Sequence, residues 1–133
     1  MLLSVTIISL LGVAVSLYSY LLERTLAKNP AYKPMCDLSD RISCSAPLKS
    51  PYATMLGVSN AVWALLYYTS IILMALKDYV TPLLALTTAG IVYSAYLAYI
   101  LVSKIRAWCL VCTCMYLINL VLWVLSILLY LYQ

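Results

Sequence analysis

The sequence predicts an all-α integral membrane protein, a four-helix bundle with one long cysteine-containing loop between helices 1 and 2. Three observations carry this. Of 133 residues, 66% are hydrophobic and 9% charged, with a mean hydropathy of +1.03, against an apolar share of roughly 45–50% in soluble domains. Four segments, 2–22, 50–76, 79–103 and 107–133, contain no charged residue, and each reaches the about 20 helical residues that a hydrocarbon core about 30 Å thick requires. All eight basic and four acidic residues fall between them, as expected when a bare charge at the bilayer centre costs about 2.5–3.5 kcal/mol.

Helix 1 is expected at about 2–22. It has no basic leader and too long an apolar run for a cleaved signal peptide, so it reads as a retained span. The loop 23–49 follows, then helix 2 at 53–76, helix 3 at 79–103 and helix 4 at 107–131. The turns at Lys77-Asp78 and 104–106 are tight, which makes consecutive helices antiparallel neighbours. A barrel is excluded because runs such as Leu120-Val121-Leu122-Trp123-Val124-Leu125 lack the alternation of a lipid-facing strand. Tyr18, Tyr20, Tyr79, Tyr130 and Tyr132 sit near expected helix ends, where an amphipathic ring suits the headgroup layer. No repeat or linker divides the chain, so residues 1–133 are expected to form a single domain.

The reactive inventory is sulfur. There are five cysteines and no histidine. With no acid inside an expected span either, a Ser-His-Asp site, a histidine-bearing zinc centre and a proton-relay transporter are poorly supported. Cys109-Leu110-Val111-Cys112 is a C-x-x-C opening the fourth helix, where the helix N-terminus and nearby Lys104 and Arg106 favour a thiolate. Two sulfurs at this spacing can close on each other after giving up two electrons, to a disulfide or to an electron-poor quinone. A C-x-x-C in an apolar helix also serves plain packing. Burial cannot explain Cys36 and Cys44, however, because they lie in a polar loop on the membrane face from which helix 4 starts. Two pairs on one face form a relay. Cys114 is about 200° around the helix from Cys112 and reads as packing. Cys109, Cys112, Tyr116 and Asn119 share one stripe of helix 4, and Asn60 lies near the start of helix 2 on the same side. From spacing alone, each of these amide and phenol groups reads first as an interhelical hydrogen bond.

The loop Cys36-Asp37-Leu38-Ser39-Asp40-Arg41-Ile42-Ser43-Cys44-Ser45, the run Ser50-Pro51-Tyr52-Ala53-Thr54-Met55-Leu56-Gly57, Asn60 and Cys109-Leu110-Val111-Cys112 with Tyr116 resemble the vitamin K epoxide reductase family over nearly the whole chain. The order is specific: a spaced loop pair precedes the C-x-x-C, whereas in quinone-linked oxidases of the DsbB type the C-x-x-C comes first. The resemblance implies that Cys109 and Cys112 are the active-site pair, with Cys112 facing the quinone. It makes Cys36 and Cys44 the shuttle, Cys36 receiving electrons from a thioredoxin-like protein and Cys44 passing them to Cys109. It also implies that Asn60 and Tyr116 bind quinone oxygens. The quinone would be of menaquinone, ubiquinone or vitamin K type. The short segment from Cys44 to Asn60 is closer to microbial members, which points to disulfide formation over epoxide recycling. No fused thioredoxin-like domain follows, so a separate partner is expected. A nucleic-acid partner and a resident metal are not expected.

Of the eight Lys and Arg, seven lie on the cysteine face (Arg24, Lys28, Lys33, Arg41, Lys49, Lys104, Arg106) and only Lys77 opposite. The positive-inside rule then puts the redox face in the cytoplasm and both termini outside, the reverse of the family's usual arrangement. Disulfide formation there is the exception found in hyperthermophilic microbes. Three alternatives compete. The same fold could reduce a quinone epoxide. Four thiolates could hold a structural zinc, although the seven-residue gap between Cys36 and Cys44 exceeds the usual two to four. An exporter of lipophilic cations would need an intramembrane carboxylate.

Overall fold

The computed structural model describes residues 2–29, 31, 54–55, 57–105 and 109–132. Cys36 and Cys44 lie outside the described residues, as does Arg106. Helix α1 runs Leu2–Lys28; a short hairpin pairs β1 (Thr54–Met55) with β2 (Val58–Ser59); α2 is Asn60–Leu76 and α3 Val80–Ile100; a π-helical turn Leu101–Ile105 continues α3; and α4 is Leu110–Tyr132. The all-α expectation holds. With the π-helical turn included, α1, α3 and α4 are long and apolar enough to cross a membrane. At 17 residues, α2 rises about 25 Å, the lower end of what a span requires.

Three boundaries differ from the sequence expectation, one of them the start of helix 4, expected at 107 and found at Leu110, which leaves Cys109 just ahead of the helix. Helix 1 does not stop at residue 22 but continues through Lys28. Leu22 and Leu26, one turn apart, keep its buried stripe going, while Arg24 and Lys28 lie exposed. The Arg24 guanidinium donates to the Tyr20 hydroxyl at 3.2 Å and lies 5.8 Å from the ring centroid. Charge ends a membrane span, but it does not end a helix.

Helix 2 starts at Asn60, not at 53. Residues ahead of it turn back as an antiparallel hairpin in which Thr54 pairs with Ser59 and Met55 with Val58. Gly57 takes φ +80°, a left-handed conformation that an L side chain rarely adopts. Ser59 then caps α2, its hydroxyl accepting from the Ala61 N–H at 3.1 Å. At the other end of α2 the turn is closed by Asp78 at φ 61°. The Tyr79 N–H reaches the Met74 carbonyl and the Asp78 N–H that of Ala75, the two bonds of a Schellman motif.

The helices stand in a ring, α1 against α2 and α4, and α3 against α4 and, more thinly, α2. Small buried residues on α1 (Ser9, Gly12, Ser16, Ser19) let its backbone come close to its neighbours. A Cβ on Gly12 would lie 2.7 Å from the Tyr68 ring. One apolar core, around Val5, Tyr68, Ile71, Leu83 and Leu122, fills the end of the bundle holding the N-terminus. A second cluster, Leu22, Leu26, Leu101 and Cys109, closes the opposite end. Leu3, Leu10, Leu66, Val92, Leu117 and Leu131 point outward, giving the bundle the apolar exterior that lipid requires.

Candidate functional site

Cys109 immediately precedes α4 and behaves as its cap. Its sulfur accepts the Cys112 backbone N–H at 3.1 Å, and its carbonyl accepts the Thr113 N–H at 2.9 Å and the Thr113 hydroxyl at 2.8 Å. An N–H of the first helical turn aimed at sulfur is the geometry that stabilises negative charge there. The C-x-x-C spacing produces it directly, because the residue three after a cap offers its N–H to the cap side chain. No disulfide joins Cys109 to Cys112. Cys109 is 1% exposed, sealed beneath Leu22, Leu26 and Leu101. Cys112 is only partly buried and faces a cavity.

That cavity has a volume of about 510 Å³ and occupies the half of the bundle toward the cysteine end. Its walls come mainly from α2 and α3, whose mutual packing is the thinnest in the ring. Cys112, Tyr116 and Asn119 line it from α4, Asn60, Trp63 and Tyr67 from α2, Tyr93 and Ser94 from α3, and Ser19 and Glu23 from α1. The lining is otherwise apolar, with a few polar groups converging on it, the usual character of a small-molecule site.

Three of the four stripe residues, Cys112, Tyr116 and Asn119, therefore open on one space together with Asn60, while Cys109 sits behind Cys112. Asn60 accepts from the Tyr93 hydroxyl at 3.0 Å. Asn119 is the interhelical tie that spacing allowed: it accepts from the Tyr68 hydroxyl at 2.6 Å and donates to the Ser94 hydroxyl at 2.6 Å, joining α2, α3 and α4. Cys114 is exposed on another face of α4.

Several lining residues were not legible in the sequence. Tyr93 is one of 13 tyrosines, and no local pattern separates it from those at helix ends. Glu23 was expected to open the loop 23–49, and the structure places it within α1 instead. Because α1 runs on past residue 22, the Glu23 carboxylate reaches the cavity and accepts a hydrogen bond from the Ser59 hydroxyl. An apolar stripe continuing to Leu26 was the available signal. Cys36 and Cys44 lie outside the described residues, but the flanks of their loop lie within them. The Glu23–Ser59 bond joins the end of α1 to the start of α2, and Leu22 and Leu26 pack on Cys109. Both attachment points of the loop that carries Cys36 and Cys44 thus stand at the Cys109 end of the bundle.

Comparison with known proteins agrees with this architecture. The sequence model of the Vitamin K epoxide reductase family matches residues 3–127. Vitamin K epoxide reductase complex subunit 1 of Mus musculus is 31% identical over 133 residues, covering 88% of this chain and 83% of the mouse protein. The Rattus norvegicus protein of the same description is 29% identical with the same coverage.

Proposed function

The chain belongs to the vitamin K epoxide reductase family, a membrane oxidoreductase family, and from that premise we propose that it is a thiol:quinone oxidoreductase that generates disulfides. The observation that carries this reading is the opening of Cys112, Asn60 and Tyr116 onto one apolar cavity, with Cys109 bonded directly behind.

A quinone head is a flat apolar ring with carbonyl oxygens at its edges. The cavity fits such a group: its volume of about 510 Å³ lies within the range of small-molecule sites, and amides and phenols are among its polar lining groups. Asn60 and Tyr116 would hold the oxygens, with Cys112 beside the ring. The quinone, of menaquinone, ubiquinone or vitamin K type, supplies the two-electron acceptor. The chain supplies the dithiol. Electrons pass from a separate thioredoxin-like protein to Cys36, then Cys44, then Cys109 and Cys112, each transfer a thiol–disulfide exchange. In the last step two thiols become the Cys109–Cys112 disulfide and the acceptor leaves as the quinol. The α4 N-terminus favours thiolate at Cys109, and the apolar walls exclude water.

Purified protein given a reduced thioredoxin-like protein and a quinone should turn over. Cys112→Ala should lose quinone reduction while keeping exchange with the partner, and Cys36→Ala should accumulate a Cys44–Cys109 bond in trapped-disulfide mapping. Full quinone turnover by Cys112→Ala would overturn the reading. A second reading, reduction of a quinone epoxide at the same cysteines, is favoured by the description of both mammalian relatives. Dithiol plus epoxide in place of partner plus quinone separates the two, because direction follows relative potentials. We further infer from the basic residues that the redox face is cytoplasmic.

A further inference from the structure

We propose that Glu23 is the proton carrier of the cavity, receiving the thiol proton and returning it to the quinone oxygen; this rests on the cavity being the quinone site. Oxidation of a dithiol by a quinone moves two protons as well as two electrons. Both S–H protons must leave sulfur before the disulfide closes, and both quinone oxygens must gain one. With no histidine in the chain, the groups able to carry a proton among the described residues of the cavity lining are phenols, the Cys112 thiol and one carboxylate, Glu23.

The surroundings of Glu23 suit that task. The Ser59 hydroxyl has one lone pair engaged by the Ala61 N–H at 3.1 Å, and its own proton is directed to Glu23 Oε2. The carboxylate therefore stands as an acceptor beside the first turn of α2, where the helix N-terminus favours negative charge. It is half-buried and opens on the space that holds Cys112.

The step balances. As the Cys112 sulfur gives up its proton, Glu23 takes it. As Cys109 sulfur bonds to Cys112 sulfur and the electron pair passes to the quinone, Glu23 protonates one oxygen, and the proton leaving Cys109 completes the quinol. Two thiols are oxidised, one quinone is reduced, and Glu23 ends as it began.

The test is Glu23→Gln, which keeps an oxygen for Ser59 but cannot carry the proton. With reduced partner and menadione, a tailless naphthoquinone, turnover should fall by about 100-fold or more. Menadione binding, read by quenching of tryptophan fluorescence, should stay within about twofold of wild type, because no transition-state interaction is measured there. Glu23→Asp should restore part of the rate. Unchanged turnover in Glu23→Gln would overturn the proposal. So would a loss matched by equally weakened menadione binding, since Glu23 would then merely hold the start of α2 in place. Wild-type protein that binds menadione but never reduces it would instead defeat the quinone-reductase reading itself, and this proposal with it.

Discussion

At Asn60 the side-chain oxygen accepts the Tyr93 hydroxyl at 3.0 Å, so the plane of the amide is set before any ligand arrives. Tyr93→Phe removes that constraint without emptying volume. The expected result is a KM for quinone raised several-fold, the equivalent of about 1 kcal/mol for one hydrogen bond, with kcat little changed, measured by steady-state kinetics. Asn119 has a different character. It is 8% exposed and bonded on both sides, to Tyr68 and Ser94. Asn119→Leu leaves two hydroxyls without their partner, and a cost of about 1–3 kcal/mol follows, visible as a lowered thermal midpoint in detergent. The two asparagines were alike in the sequence, each an amide in an apolar helix. Only their neighbours separate a group that ties helices from one that faces a ligand.

At the scale of elements, α1 is both wall and lever. Its small residues admit the Tyr68 ring so closely that a Cβ on Gly12 would stand 2.7 Å from it. Gly12→Ala forces either the ring or the helix to move, and overpacking of this kind costs about 1–3 kcal/mol. Because Tyr68 also bonds Asn119, the same variant should weaken quinone binding from a distance, a coupling that paired stability and binding measurements would detect. The α2–α3 turn offers the opposite test. Asp78 holds φ 61° in a Schellman motif, where glycine carries no Cβ penalty. Asp78→Gly should leave turnover unchanged and raise the thermal midpoint, with a gain of at most about 1–2 kcal/mol.

Over the whole molecule, the four helix ends at the cysteine face converge on one site, and the described basic residues Arg24, Lys28 and Lys104 stand at that same end. If the positive-inside rule governs this chain, a topology reporter fused after Gln133 is active only outside the cytoplasm; activity confined to the cytosol overturns the orientation. Hydropathy and charge in the sequence determined that the chain crosses a membrane as helices, because hydrocarbon excludes unpaired backbone and bare charge regardless of what packs beside them. Cysteine spacing determined that Cys109 and Cys112 share one helix end, whereas the start of α4 at Leu110, which makes Cys109 its cap, came from the structure. Where α1 ends, that residues 54–59 form a hairpin, and that Glu23 and Tyr93 reach the cavity were decided by tertiary structure alone. Each depends on what a side chain meets on another helix, and residues as far apart as Glu23 and Ser59 carry no mark of their partnership until the fold brings them together.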